Sequence, residues 1–96
     1  MSAPTIRRAH VWITGRVQGV SFRYACERVA RAAGVAGWVR NRIDGRVEAV
    51  FEGAPAAVEE VVEWCNQGPS AARVTHVERR DEEPVDEPAF HVAPTA

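Results

Sequence analysis

Apolar and polar positions alternate from Ile6 to Thr14, with Ala9, Val11 and Ile13 on one side and His10, Trp12 and Thr14 on the other. A two-residue period of this kind predicts a half-buried strand. Gly15 to Gly19 then reads as a short glycine-bounded loop. From Phe22 the period changes: Phe22, Cys26, Val29, Ala30 and Ala33 form the apolar stripe of a helix that ends at Gly34. Val35 to Arg42 and Arg46 to Glu52 are two further strand candidates, joined through Ile43-Asp44-Gly45, where Asp-Gly is a hairpin signal. Pro55 suits a first helical position, and Val58, Val61, Val62 and Cys65 supply a second stripe that Gln67-Gly68-Pro69 ends. Ala72 to Arg80 is another strand candidate and Ala89 to Ala93 a short last one, with the acidic run Asp81 to Pro88 read as a solvated connection between them.

The resulting order is β-α-β-β-α-β with one terminal strand. That is the ferredoxin-like α+β arrangement, a mixed or antiparallel sheet carrying both helices on one face. Ninety-six residues suffice for one hydrophobic core and not for two. The expected organisation is a loose N-terminal tail over residues 1–5 and a single domain over 6–94. The scaffold is shared by enzymes, RNA binders and regulators, so it settles nothing about activity.

Composition narrows the class. With 46% apolar and 26% charged residues the chain is an ordinary globule, not a collagen, a coiled coil or a disordered tail. No apolar run approaches a membrane span, and MSAPTIRRAH has no apolar leader segment, so a cytoplasmic protein that does not engage membranes is expected. Cys26 and Cys65 lie on the two helical stripes and read as buried free thiols, without metal-ligand spacing. All twelve basic residues are Arg, and neither Lys nor Leu occurs, a bias that points to coding background more than to function. The net charge of −1 conceals an uneven distribution: residues 1–50 carry nine Arg against Glu27, Asp44 and Glu48, while residues 51–96 carry three Arg against ten acids. A cationic first half suits a local anion site better than general polyanion binding.

Two places break local rules. In Gly15-Arg16-Val17-Gln18-Gly19-Val20-Ser21-Phe22-Arg23, a strand, a glycine turn and a helix start converge, so several backbone N–H groups and the positive end of a helix dipole meet. With Ser21 as N-cap, Arg23 falls in the first helical turn, where acids are favoured. An anion held in the loop under the Arg23 guanidinium removes the conflict; a solvated surface arginine is the competing reading. Asn41 is the second place. It sits either at a strand position on the Val39 face, where its carboxamide would need partners such as water, or in the turn with Asp44-Gly45, and the residues alone tilt slightly to the turn. His10, His76 and His91 fall in predicted strands and read as sheet-surface residues, Ser2, Ser21 and Ser70 sit in no nucleophile motif, and Trp12, Trp38 and Trp64 read as packing.

Ile13-Thr14-Gly15-Arg16-Val17-Gln18-Gly19-Val20-Ser21-Phe22-Arg23 resembles the first acylphosphatase signature. Gly37-Trp38-Val39-Arg40-Asn41 followed by Gly45-Arg46-Val47 and Gly53 resembles the second. The likeness continues through Trp64-Cys65 and Gly68-Pro69 to about Glu83, while Ala93-Pro94-Thr95-Ala96 departs from the charged or aromatic terminal strand more usual in relatives. The resemblance implies hydrolysis of the carboxyl-phosphate bond of acyl phosphates to carboxylate and phosphate, by direct attack of a positioned water, with no metal, cofactor or phosphoenzyme. It implies that Arg23 and the amides of Arg16, Val17, Gln18, Gly19 and Val20 bind the phosphoryl group, and that Asn41 positions the water. The implied partner is a small-molecule acyl phosphate, with inorganic phosphate or sulfate as a product-like ligand; a monomer that engages no nucleic acid is the expected state. The alternative is a non-catalytic anion-binding or regulatory module on the same fold. An RNA-binding sheet is disfavoured because Arg46-Val47-Glu48-Ala49-Val50-Phe51 lacks paired stacking aromatics.

Overall fold

Seven elements follow one another in the computed structural model, which describes residues 5–96: β1 (Arg7–Arg16), α1 (Phe22–Ala32), β2 (Ala36–Asn41), β3 (Val47–Gly53), α2 (Pro55–Cys65), β4 (Arg73–Glu82) and β5 (Phe90–Val92). Apart from Thr5, the expected N-terminal tail lies outside the described residues. The strands form one sheet in the order β4-β1-β3-β2-β5, antiparallel throughout except that β5 runs parallel to β2. This is the ferredoxin-like arrangement with an added C-terminal strand.

The strand alternation sorts the two faces of the sheet. Ala9, Val11 and Ile13 of β1, Val39 of β2 and Val47, Ala49 and Phe51 of β3 are buried with Phe22, Cys26 and Ala30 of α1 and Val58, Val61 and Cys65 of α2. The apolar stripes of both helices therefore close one core, and Phe90 of β5 seals its edge by stacking on Phe51 at 5.7 Å between ring centroids. Cys26 and Cys65 are free and fully buried. Burial and the neighbouring Cys65 push the Cys26 thiol well above its ordinary pKa, so it stays a neutral packing group.

Helix ends follow local chemistry. After the α1 C-cap Ala33, Gly34 takes φ 73°, Val35 N–H donates to Ala30 O and Gly34 N–H to Arg31 O, which is a Schellman ending. Pro55 begins α2.

Several boundaries differ from the sequence expectation. Gly15 belongs to β1 and not to the loop, because the β1–β4 register shifts between Thr14 and Gly15. This bulge brings the backbones so close that a Cβ on Gly15 would lie 2.0 Å from Arg73 O. Strand β4 continues through Asp81 and Glu82, since both pair with β1. The rest of the acidic connection is not simply solvated: Glu52 Oε1 and Oε2 accept the Val85 and Glu87 amides at 2.9 Å each, and Arg8 reaches Glu52, Glu82 and Glu87. Beyond β5 the chain stays beside β2, with Ala93 N–H donating to Val39 O, Ala96 N–H to Asn41 O, and Ile43 N–H to Ala96 O.

The face of the sheet away from the helices is a charge network. His10 sits with Nε2 2.6 Å from Glu48 and Nδ1 2.7 Å from Glu82, stacked on Trp12 at 4.0 Å and edge-on to Trp38. Arg40 and Arg80 cover the Trp38 and Trp12 rings. Trp64 packs instead beside Phe22 in the helical layer. His76 and His91 are exposed on strands.

Candidate active site

Strand β1 delivers the chain to the site at Val17, which is 1% exposed and anchors the following loop in the core. From there φ alternates in sign: it is positive at Gly19 (73°) and Ser21 (65°), and negative at Gln18 and Val20 between and before them. Such alternation turns successive backbone N–H groups toward one concave side, the geometry of an anion nest. A Cβ on Gly19 would meet no neighbour, so glycine is required there for its backbone conformation and not for space. Ser21 occupies the N-cap of α1 as the sequence predicts, and Ala25 N–H donates to its carbonyl, but its hydroxyl makes no capping bond. A non-glycine residue held left-handed carries about 1–2 kcal/mol of strain. Among the described residues, the amides of Gln18, Gly19, Val20 and Ser21 have no hydrogen-bond acceptor.

Arg23 follows in the first turn of α1, half-buried, its guanidinium 5.7 Å from the centroid of the Tyr24 ring. Among the described residues it forms no ion pair, in contrast to the arginines of the β2–β3 hairpin. There Arg42 pairs with Asp44 and Glu48, and Arg46 pairs with Asp44. Side-chain and backbone hydrogen bonds from Arg46 hold the Asp44 carboxyl well below the usual carboxylate range. Burial works against the Glu48 carboxylate, but bonds from His10, Arg40 and Arg42 outweigh it and lower its pKa.

Asn41 is the last residue of β2, so the strand position prevails over the turn. Continued pairing with Val47 keeps it in the ladder, and the turn begins one residue later. Its Oδ1 is buried and has no hydrogen-bond partner among the described residues. A buried acceptor left in this state costs about 1–3 kcal/mol and calls for a donor that the described residues do not provide.

These groups meet. Asn41 and Arg23 line one cavity of about 270 Å³ with Val17, Gly19, Ser21, Phe22 and Tyr24. Of the residues singled out from the sequence, Val17, Gly19, Arg23 and Asn41 are thus brought together. Arg16 stays in β1, exposed and paired in register with Arg73. Val20 packs against the core, and the Gln18 side chain leaves the cavity to donate to two hairpin carbonyls. Ser21, Phe22 and Tyr24 were not expected in the lining. Only their adjacency to Arg23 could have suggested them, since the left-handed turn at Ser21 has no composition signal.

The acylphosphatase family profile matches residues 9–92. The chain belongs to the acylphosphatase family. It is 58% identical over 88 residues to an acylphosphatase of a Synechococcus species, spanning 92% of this chain and 94% of the relative. An acylphosphatase of Gloeobacter violaceus is 64% identical over 70 residues, 73% of this chain and 75% of that one. The crystal structure of acylphosphatase from Bacillus subtilis superposes with a TM-score of 0.88 at 33% identity, covering 93% of this chain and 99% of that one. The matched span contains the glycine loop, Arg23 and Asn41, so the cavity lies within the part of the chain that carries the acylphosphatase likeness.

Proposed function

We propose that this chain hydrolyses acyl phosphates in the cavity between the glycine loop and Asn41, releasing a carboxylate and inorganic phosphate. Its membership of the acylphosphatase family supports the reaction class. The observation that carries the site is the presence, in one cavity, of an arginine without a carboxylate partner and a buried amide oxygen without a donor among the described residues. The phosphoryl group is placed on the acceptor-free loop amides of Gln18, Gly19 and Val20 under Arg23, whose planar fork grips two oxygens at once, while Arg16 is held in β1 away from the cavity. Negative charge that builds on the equatorial oxygens during transfer meets preorganised donors there.

Asn41 has no titrating group near neutrality, so it acts as an acceptor and not as a base. Its Oδ1 takes a hydrogen bond from the water and holds it behind phosphorus, opposite the acyl oxygen. The water oxygen bonds to phosphorus as the P–O bond to the acyl group breaks. The bonding electrons leave with the carboxylate, and the water proton passes to the phosphate itself. A carboxylate is a good leaving group, so no strong acid is needed to protonate it. Arg23 and the amides supply the charge stabilisation without recourse to a metal or a phosphoenzyme.

Phosphate release from benzoyl phosphate and acetyl phosphate in the presence of EDTA tests the reading, with inorganic phosphate as competitive inhibitor. Turnover above the spontaneous rate that disappears in Arg23→Ala is the expected result. Phosphate binding without turnover would instead assign a non-catalytic anion-binding module. A neutral-pH limb from an enzyme-borne base in the rate profile would overturn the water-to-phosphate proton route.

We take residues 6–94 to act as one acylphosphatase-like domain, a cytoplasmic monomer acting on a small molecule. Light scattering of the purified protein tests the oligomeric state.

A further inference from the structure

The two halves of the proposed site come from separate segments: the phosphate side from the loop after β1, the water side from Asn41 at the end of β2. One side chain joins them. Gln18 Nε2 donates to Arg42 O at 2.7 Å and to Arg46 O at 2.9 Å. Both partners are carbonyl oxygens, so the amide orientation is dictated and each of its two N–H groups has an acceptor. The two carbonyls stand on opposite sides of the hairpin neck, which Arg42 N–H to Arg46 O (2.8 Å) and Gly45 N–H to Arg42 O (3.1 Å) close from within. Arg42 directly follows Asn41, and Gln18 lies between Val17 and Gly19, which both line the cavity. The connection is thus one residue long at each end.

We propose that Gln18 is a positioning residue, its side chain setting the separation between the phosphoryl-binding loop and the water-holding Asn41. This inference rests on the functional reading of the same site but concerns a side chain that does not face its cavity. Without the strut the loop amides and Arg23 keep their own geometry, because Val17 anchors them in the core. The hairpin keeps its closing bonds and its Arg42–Glu48 and Arg46–Asp44 pairs. What is lost is the register between the two, and in-line displacement is sensitive to misplacement on the ångström scale.

Gln18→Met tests this, since methionine keeps the length and volume but has no N–H. With benzoyl phosphate, kcat falls about tenfold or more while the inhibition constant of inorganic phosphate changes less than about twofold. A cycle with Asn41→Ala is the sharper measurement. If Gln18 works through Asn41, the double variant is no slower than Asn41→Ala alone; independent roles would multiply. The Asn41 side-chain amide resonances, followed by NMR, also move in Gln18→Met whether or not turnover is measured. Wild-type kcat in Gln18→Met, an equal loss of phosphate affinity, multiplying losses in the double variant, or unmoved Asn41 resonances would each overturn the proposal. If Gln18→Met does not fold, Gln18→Asn, too short to reach both carbonyls, carries the same expectations. A wild-type enzyme that releases no phosphate would refute the hydrolase reading, and the NMR result would still decide the Gln18 assignment.

Discussion

The cavity and the open face of the sheet treat polar groups in opposite ways. On the open face and along the hairpin, charge is matched: Glu48, 4% exposed at its side chain, takes His10, Arg40 and Arg42, and Arg8 takes three carboxylates. In the cavity, among the described residues, Arg23 has no carboxylate, Asn41 Oδ1 has no donor and the loop amides have no acceptor. Matched groups are satisfied within the fold, and under the proposed function the unmatched ones receive the substrate. Arg23 and Arg42 are the same residue type within one small domain, and their partners alone separate a candidate ligand-binding group from a structural one.

If that contrast is right, changes on the unmatched side should alter activity and spare stability, and changes on the matched side should do the reverse. Arg23→Lys breaks the two-pronged grip and should lower kcat/KM for benzoyl phosphate about 10³-fold with little change in the urea midpoint. Asn41→Ala should lower kcat about 10²-fold and leave phosphate inhibition nearly unchanged. The same variant removes an orphaned buried oxygen, so its urea-unfolding free energy should be equal to or above that of the parent, by up to about 1 kcal/mol. A clear loss of stability in Asn41→Ala would place that oxygen on the matched side. Glu48→Gln keeps the shape but faces three donors with a neutral amide, and should cost about 2 kcal/mol of stability while kcat stays within a factor of about two.

Acid provides the gentlest test. Glu48, Glu52 and Glu82 titrate below the ordinary glutamate value. Arg79 and Arg7 lower Glu59 to about 2. Depressed carboxylates contribute stability that is complete above pH 4.5 and fades as pH falls toward the folded-state values, so the urea midpoint should drop between about pH 4.5 and 2. Glu59 is 45% exposed, so its share should be a few tenths of a kcal/mol, and salt should remove it before the buried carboxylates respond.

Much of this was legible in the chain because it is local. Alternation in β1 and the stripes of α1 and α2 encode which side faces the core, and the Pro55 and Gly34 boundaries need only their immediate neighbours. Arg23 was conspicuous because a cation in a first helical turn is out of place. What stayed hidden depends on residues distant in sequence. Gly15 reads as a loop boundary until β4 is laid beside it and the register slips. Asn41 cannot be told from a turn residue until Val47 pairs with it. Gln18 looks like part of a phosphate loop through its backbone, and its side-chain role needs the carbonyls of Arg42 and Arg46 in place. The acidic stretch after β4 reads as solvent-facing because its binding partner, Glu52, carries the same sign; two backbone amides and Arg8 make the association favourable.

That stretch has a tight task. Strands β4 and β5 lie at opposite margins of the sheet, with β1, β3 and β2 between them, so residues 83–89 must traverse its full width. Four interstrand gaps of about 4.8 Å add up to roughly 19 Å. Eight Cα steps, from Glu82 to Phe90, can stretch to about 28 Å, and deleting three residues would cut that reach to about 17 Å. The tether has little slack, and Glu52 grips it midway. Shortening it by three should undock β5, exposing Phe51 and the edge of the core, and limited proteolysis would detect the freed terminus.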